Sequence, residues 1–113
     1  MDQVAAKTDA IMVLNVSGPR LDAVNAPAFR ETIGAVIDRG HNRIILNFAA
    51  VQSIDSSGIG VLVGLLKRTG RFGDIVLTQL TPTVQKVFKL TRMDRIFSIF
   101  PDAASALAAL EES

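Results

Sequence analysis

The segment from Ile54 to Leu62 holds the side chains of this chain that are best suited to chemistry. Asp55, Ser56 and Ser57 stand directly before a run of glycine and aliphatic residues, so one carboxylate and two hydroxyls precede a predicted helix. Asp and Ser are common at helix starts because their oxygens accept hydrogen bonds from free backbone N–H groups. Helix capping is therefore one interpretation of this segment.

A phosphorylated serine is the second interpretation of the same residues. A helix N-terminus has unpaired N–H donors and a partial positive charge, and both tolerate the negative charge of a phosphate. Gly58 and Gly60 would leave little side-chain cover over Ser56 and Ser57, so the active site of another protein could approach them. A phosphate would add roughly two negative charges without unfolding the domain, and a docked partner would then be repelled. The segment thus has the chemistry of a binary switch.

Nucleotide binding and catalysis are further interpretations, and the sequence argues against both. The chain has no G-x-x-x-x-G-K-[ST] loop, no G-x-G-x-x-G loop and no G-x-S-x-G elbow. Its single histidine, His41, lies between Gly40 and Asn42, which is typical of a turn. Because there is no cysteine, a thiolate metal site and a disulfide framework are excluded. We therefore expect no catalytic residue, no metal, no cofactor and no enzymatic activity.

Charge and composition limit the expected partners. The 12 basic and 11 acidic residues leave a net charge of +1, which gives no electrostatic reason to expect nucleic acid or an anionic membrane. Lys67, Arg68 and Arg71 form a basic cluster that suits a solvated helix end. The six Phe lie among aliphatic residues at core spacing, whereas stacking on bases needs exposed aromatic rings. No apolar run reaches the roughly 18 residues of a spanning helix, so we expect a cytoplasmic protein.

The hydrophobic pattern predicts strands that alternate with helices. Short runs of β-branched and aliphatic residues predict strands at residues 4–6, 11–16, 43–48, 74–80 and 96–100, with a loop at 20–25. Helix starts are indicated by Pro27, by the serines at 56 and 57, by Pro82 and by Asp102. The residues expected to face inward on the four helices are Phe29, Ile33, Val36 and Ile37, then Ile59, Leu62, Val63 and Leu66, then Val84, Val87 and Phe88, and finally Leu107 and Leu110. This order predicts an α/β sandwich with a central mixed sheet of four to five strands covered by about four helices.

Residues 54–64, which read IDSSGIGVLVG, resemble the signature of STAS domains of the anti-sigma-factor-antagonist group, D-S-[ST]-G-[LI]-G-V before the second helix. The similarity extends over nearly the whole chain. Residues 11–18 resemble the family's strand followed by Gly, and residues 43–48 resemble its I-V-L-[ND]-[LF] strand. The pairs at 21–22 and 25–26 resemble its entry into the first helix. The resemblance implies that residues 1–113 form a single stand-alone STAS domain.

The resemblance also implies how such a protein would work. Ser56 would be the phosphoacceptor, flanked by Asp55, Ser57 and Gly58. The unphosphorylated protein would bind an anti-sigma factor that is also a serine kinase, and a sigma factor would be released. Phosphorylation would end this binding, and a PP2C-type phosphatase would restore it. The protein would be a monomer or weak dimer, and the implied partner-binding residues are Asp22, Asn25, Ile59 and Gly60.

Alternatives remain at this point. A STAS subunit of a lipid-transport ABC complex or of a stress-signalling complex would share the fold and the serine motif, and an enzyme or nucleotide-binding protein is a third hypothesis. The chain also departs from the family pattern at two places. Met93 and Asp94 replace a common Gly-Leu pair before the last strand, and Pro19 and Arg20 replace commoner residues near the partner-binding loop. Partner specificity therefore cannot be transferred from the family.

Overall fold

The computed structural model describes residues 3–5 and 11–112, and strands and helices alternate along them. The strands are β1 (Gln3–Ala5), β2 (Ile11–Asn15), β3 (Arg20–Leu21), β4 (Arg43–Asn47), β5 (Ser53–Ile54), β6 (Asp74–Thr78) and β7 (Ile99–Phe100). The helices are α1 (Ala26–Asp38), α2 (Ser56–Arg68), α3 (Pro82–Leu90) and α4 (Ala103–Glu111), with a 3-10 turn at Met93–Arg95.

Five of the strands form a central sheet in the order β1-β2-β4-β6-β7. β1 is antiparallel to β2, and the other neighbours are parallel. Since parallel neighbours need a crossover, α1, α2 and α3 each connect one parallel strand to the next. The predicted α/β architecture with a mixed sheet of four to five strands and about four helices is confirmed.

The central strands are apolar on both faces because helices cover both. Alternate residues such as Leu14, Leu46 and Leu77 belong to the core beneath α1, α2 and α3. The intervening residues, such as Val13 and Ile45, pack with α4 on the other face. This arrangement explains why the strand sequences are continuous aliphatic runs instead of alternating polar and apolar residues.

Several element boundaries differ from the predicted ones. The last strand begins at Ile99 and not at residue 96, because the chain first forms the 3-10 turn, in which the Met93 carbonyl accepts hydrogen bonds from the N–H groups of Ile96 and Phe97. Strands β2, β4 and β6 each end one or two residues earlier than predicted. β1 overlaps the strand expected at 4–6, of which residue 6 lies outside the described residues.

Two predictions about burial need correction. The most buried residues of α2 are Gly58, Leu62 and Leu65, so Leu65 was missed, while the predicted Ile59, Val63 and Leu66 are only partly buried against the same core. The expectation that every Phe lies at a core position is wrong for Phe72, which is 84% exposed in the turn between α2 and β6. By contrast, Phe48, Phe88 and Phe97 are buried, as predicted.

Candidate functional site

The start of α2 places Ser56 at the surface. Asp55 precedes the helix in an extended conformation, and its Oδ1 accepts hydrogen bonds from the N–H groups of Ser57, at 2.9 Å, and Gly58, at 3.1 Å. Asp55 is therefore the N-cap, and Ser56 is the first helical residue. The side chain of Ser56 is exposed, whereas Ser57 is half-buried. Of the two hydroxyl residues, Ser56 is the more accessible to another protein.

A two-stranded parallel sheet, which the sequence did not predict, connects this helix start to the first crossover. In it, Arg20 pairs with Ser53, and Leu21 pairs with Ile54. The ladder continues with a hydrogen bond from the Asp55 N–H to the Leu21 carbonyl, at 3.3 Å. Strands of two residues are too short to produce a periodic pattern, so no sequence signal was available for them.

The 22–25 loop follows directly after β3 and is fixed by its own polar side chains. The Asp22 N–H donates to Oδ1 of Asn25 at 2.8 Å, and the Val24 N–H donates to Oδ1 of Asp22 at 3.0 Å. Arg20 forms an ion pair with Asp22, with 3.4 Å between Nε and Oδ2. Because β3 and β5 are paired, the loop and the helix start lie side by side. The structure thus brings Asp22 and Asn25 next to the predicted acceptor, Ser56.

The two glycines of the motif have different roles. Gly60 is exposed, and a Cβ built on it would meet no other atom within 4 Å. Gly58 is buried, and a Cβ there would lie 2.5 Å from the Leu21 carbonyl oxygen and 2.9 Å from Cγ of Leu21. The expectation that both glycines leave the serines uncovered is therefore wrong for Gly58. Its lack of a side chain instead allows α2 to pack closely against β3.

The remaining expected partner-binding residue, Ile59, is only half-exposed. It packs against the main hydrophobic core, and its N–H donates to the Asp55 carbonyl at 3.0 Å. Its role in the fold is clear, and only part of its side chain is available to a partner. Val24 was not singled out from the sequence, although it is 88% exposed at the tip of the 22–25 loop. An aliphatic residue between two loop-forming polar residues was the signal that could have identified it.

A recess of about 170 Å³ lies between α1 and α2 and is lined in part by Ser57, the neighbour of Ser56. Its lining residues are Ala23, Ala26, Pro27, Arg30, Ser57 and Val61. The floor is mostly small and apolar, and the one cation is Arg30, another residue that the sequence did not mark. A second recess, also of about 170 Å³, lies on the other side of the 22–25 loop and is lined by residues that include Asn25 and Phe29. The start of α2 therefore lies in a surface with shallow cavities.

The electrostatics of the helix start differ from the expectation of several free N–H donors. Asp55 already accepts bonds from the N–H groups of Ser57 and Gly58. A phosphate on Ser56 would thus compete with an existing carboxylate, Asp55, whereas the charge of Asp22 is paired with Arg20. The positive end of the helix dipole would compensate only part of this charge. A phosphate at this position would therefore add negative charge beside the Asp55 carboxylate.

No metal site is found among the described residues: they contain no group of three or more His, Asp or Glu side chains that could hold an ion. Likewise, no helix in residues 11–112 is long and apolar enough to cross a membrane.

Comparison with known proteins assigns this α/β fold to a family. A family model described as the STAS domain matches residues 2–106. The chain therefore belongs to the STAS domain family. A relative from Thermotoga maritima, named as an anti-sigma factor antagonist, is 31% identical over 98 residues, which cover 85% of this chain and 87% of the relative.

Solved structures agree with this assignment. The crystal structure of an anti-sigma factor antagonist from Mycobacterium paratuberculosis matches with a TM-score of 0.83 at 26% identity, covering 97% of this chain and 93% of that one. The crystal structure of an antagonist from Thermotoga maritima matches with a TM-score of 0.82 at 28% identity, covering 92% and 90%. The similarity to these chains extends over nearly their whole length.

Proposed function

We propose that this protein is an anti-sigma factor antagonist that works by partner switching. In its unphosphorylated form it binds an anti-sigma factor that is also a serine kinase, and the sigma factor is released. Phosphorylation of Ser56 ends the complex, and a PP2C-type phosphatase restores it. The protein acts in the cytoplasm as a binding protein without catalytic activity of its own. The names of its relatives support the general role.

The exposed position of Ser56 is the observation that carries the proposal. The hydroxyl belongs to the first residue of a helix that Asp55 caps, so the acceptor stands on a fixed backbone while remaining accessible. Asp22 and Asn25 are held beside it through the pairing of β3 with β5. A kinase that docks on the 22–25 loop would therefore meet Ser56 on the same surface.

The charge of the site supports switching by repulsion and not by unfolding. Ser56 has a carboxylate, Asp55, as its immediate neighbour, and a phosphate would add roughly two more negative charges. A partner that fits the unphosphorylated surface would then face like charges and the cost of removing water from a dianion. Because Ser56 is exposed and its hydroxyl takes no part in the cap, the domain itself would remain folded.

Co-purification from the native cell tests the proposal. Wild-type protein and a Ser56→Asp variant serve as parallel baits, and the captured proteins are identified by mass spectrometry. We expect the wild type to capture a kinase-type anti-sigma factor and Ser56→Asp to lose it, because the added carboxylate places negative charge where the phosphate would be. Ser56→Ala should still capture the same kinase and should no longer be phosphorylated.

Ser98→Asp is the matched control, since Ser98 is also exposed but lies before β7, away from α2. This variant should capture the kinase as the wild type does. Equal capture by wild type and Ser56→Asp would contradict the switch. Recovery of one transport ATPase by both baits would instead identify a subunit of a lipid-transport complex.

A further inference from the structure

Three large apolar side chains are exposed near the C-terminal ends of two helices that lie on the same face of the sheet. Phe72 is 84% exposed in the turn after α2, Leu90 is 74% exposed in the last position of α3, and Ile96 is 49% exposed after the 3-10 turn. Single exposed apolar residues are ordinary on protein surfaces. What requires an explanation here is that three of them lie in corresponding parts of the fold.

The topology places these residues at the amino edge of the sheet, where the parallel strands begin. Phe72 lies two residues before β6. Ile96 follows the 3-10 turn and precedes β7, so it lies on the side of the sheet from which β7 starts. α2 and α3 lie on the same face of the sheet, because both pack against the larger core. Ser56 lies at the opposite, carboxyl edge, where α2 begins.

The same edge is rich in cations. Residues 86–96 contain four basic side chains and one acidic side chain, and Lys67 and Arg71 flank the turn that carries Phe72. Lys89, Arg92 and Arg95 are all exposed, and within the described residues none of them forms an ion pair. Favourable interaction with helix dipoles accounts for basic residues at helix ends, but it does not account for the exposed apolar side chains among them.

An open recess of about 360 Å³ adjoins Phe72 and adds polar groups to this edge. Arg43 and Arg71 line it, and the Arg71 guanidinium lies 5.7 Å from the centre of the Phe72 ring. Asp74 lines it as well, and burial raises the pKa of this carboxyl, while a hydrogen bond from the Ile75 backbone and the charge of Arg43 act in the opposite direction. The Arg43 guanidinium donates to the Leu110 carbonyl, so Arg71 is the guanidinium that stands beside the exposed ring at this opening.

We propose that this basic edge, defined by Arg71, Phe72, Lys89, Leu90, Arg95 and Ile96, docks on an anionic lipid surface. Aliphatic and aromatic side chains that project among lysines and arginines match the interface of a membrane, where acyl chains and headgroup phosphates lie within a few ångströms of each other. A membrane is deformable, so it can accommodate side chains that project from two separate turns. A protein partner would need one continuous complementary surface.

The proposal departs from the expectation drawn from net charge, which averages this edge with the rest of the surface. Docking in this orientation would leave the 22–25 loop and Ser56 facing solvent, so it is independent of the proposed switch. It requires no helix that spans the membrane, since the contact is peripheral.

Vesicle co-sedimentation tests the proposal on the full chain. The probes are large vesicles of phosphatidylcholine alone and of equal parts phosphatidylcholine and phosphatidylglycerol. We expect binding only to the anionic vesicles, and a loss of binding when salt rises from about 0.05 M to about 0.5 M, because salt screens exposed charges. Lys89→Gln with Arg95→Gln should weaken binding about tenfold or more, since each cation near an anionic surface contributes severalfold.

Leu90→Ser with Ile96→Ser should weaken binding severalfold at low salt, which separates apolar insertion from charge attraction alone. Val24→Ser is the matched control, because Val24 is 88% exposed at the opposite edge. This variant should bind anionic vesicles as the wild type does. All these positions are exposed, and circular dichroism verifies that each variant is folded. The proposal is overturned by equal binding to neutral vesicles, by variants that bind as wild type does, or by an affinity for duplex DNA that matches the affinity for anionic vesicles.

Discussion

At the scale of single residues, the motif around Ser56 combines positions that serve the fold with positions that serve contact. Asp55 caps α2, and Gly58 allows α2 to pack on β3, so both are explained by local structure. Ser56 and Gly60 make no comparable contribution, because both are exposed on the helix. This division means that a change at Gly58 and the same change at Gly60 should have opposite consequences.

We expect Gly58→Ala to lower the free energy of unfolding by about 1–3 kcal/mol, the usual cost of overpacking. The new Cβ would lie 2.5 Å from the Leu21 carbonyl oxygen, which cannot move freely because it accepts the Asp55 N–H. Gly60→Ala, with open space around its Cβ, should raise the free energy of unfolding by about 0.5–1 kcal/mol through better helix propensity. Urea unfolding followed by circular dichroism measures both. A neutral Gly58→Ala would refute the close-packing explanation.

At the scale of elements, the sequence predicted what depends on local pattern and missed what depends on long-range contact. α1 and α4 follow from helix-start residues and apolar stripes, and both were predicted. β3 and β5 exist because the 19–21 and 52–55 segments meet, with the Gln52 N–H bonded to the Pro19 carbonyl at 2.7 Å. No sequence pattern within either segment predicts that the two segments will pair.

The end of the chain shows the same limit. Residues 96–98 are compatible with a strand, but the left-handed conformation of Arg92 ends α3 and leads into the 3-10 turn. The backbone conformation of Arg92 and the 3-10 turn therefore keep residues 96–98 out of the strand that their apolar side chains predicted. At the candidate site, the motif identified the helix start and its exposed serine. The recess lined by Arg30 and the proximity of Ser56 to the 22–25 loop could be identified only from the tertiary structure.

The cap of α4 gives a prediction about pH. Oδ1 of Asp102 accepts the Ser105 N–H at 2.8 Å, and the hydrogen bonds from Ser105 hold the pKa of Asp102 below its ordinary value. A lowered pKa in the folded state stabilises the fold above the unfolded pKa of about 3.9, and this contribution is lost as the pH falls through the folded pKa. The Tm difference between wild type and Asp102→Ala should therefore be clear at pH 7 and shrink below about pH 4.

Asp102→Asn is the control for this prediction. Asn keeps a capping oxygen that does not titrate, so the Tm difference between the Asn and Ala variants should persist across the same pH range. If the Tm difference between wild type and Asp102→Ala stayed constant down to the lowest pH, the carboxylate charge would not contribute to the stability of the cap.

At the scale of the whole molecule, two cores share one sheet. The larger core lies under α1, α2 and α3, and the smaller one lies under α4, with adjacent residues of the same strand contributing to each. Ile44 faces the larger core, for example, and Ile45 faces the smaller. A strand cannot lose its packing on one face without disturbing the other. We therefore expect the two layers to unfold together, as small domains usually do.

Leu62→Ala tests this coupling. Leu62 is fully buried at the centre of α2, so truncation should lower the free energy of unfolding by about 2–5 kcal/mol. Leu90→Ala, at a position that is 74% exposed, should leave stability nearly unchanged. The chain has no Trp or Tyr, so circular dichroism and amide hydrogen exchange are the suitable probes. If the layers are coupled, Leu62→Ala should lower amide protection in α4, on the far face of the sheet, by the same free energy as in α2. Protection that falls in α2 alone would mean that α4 and its core form an independent unit.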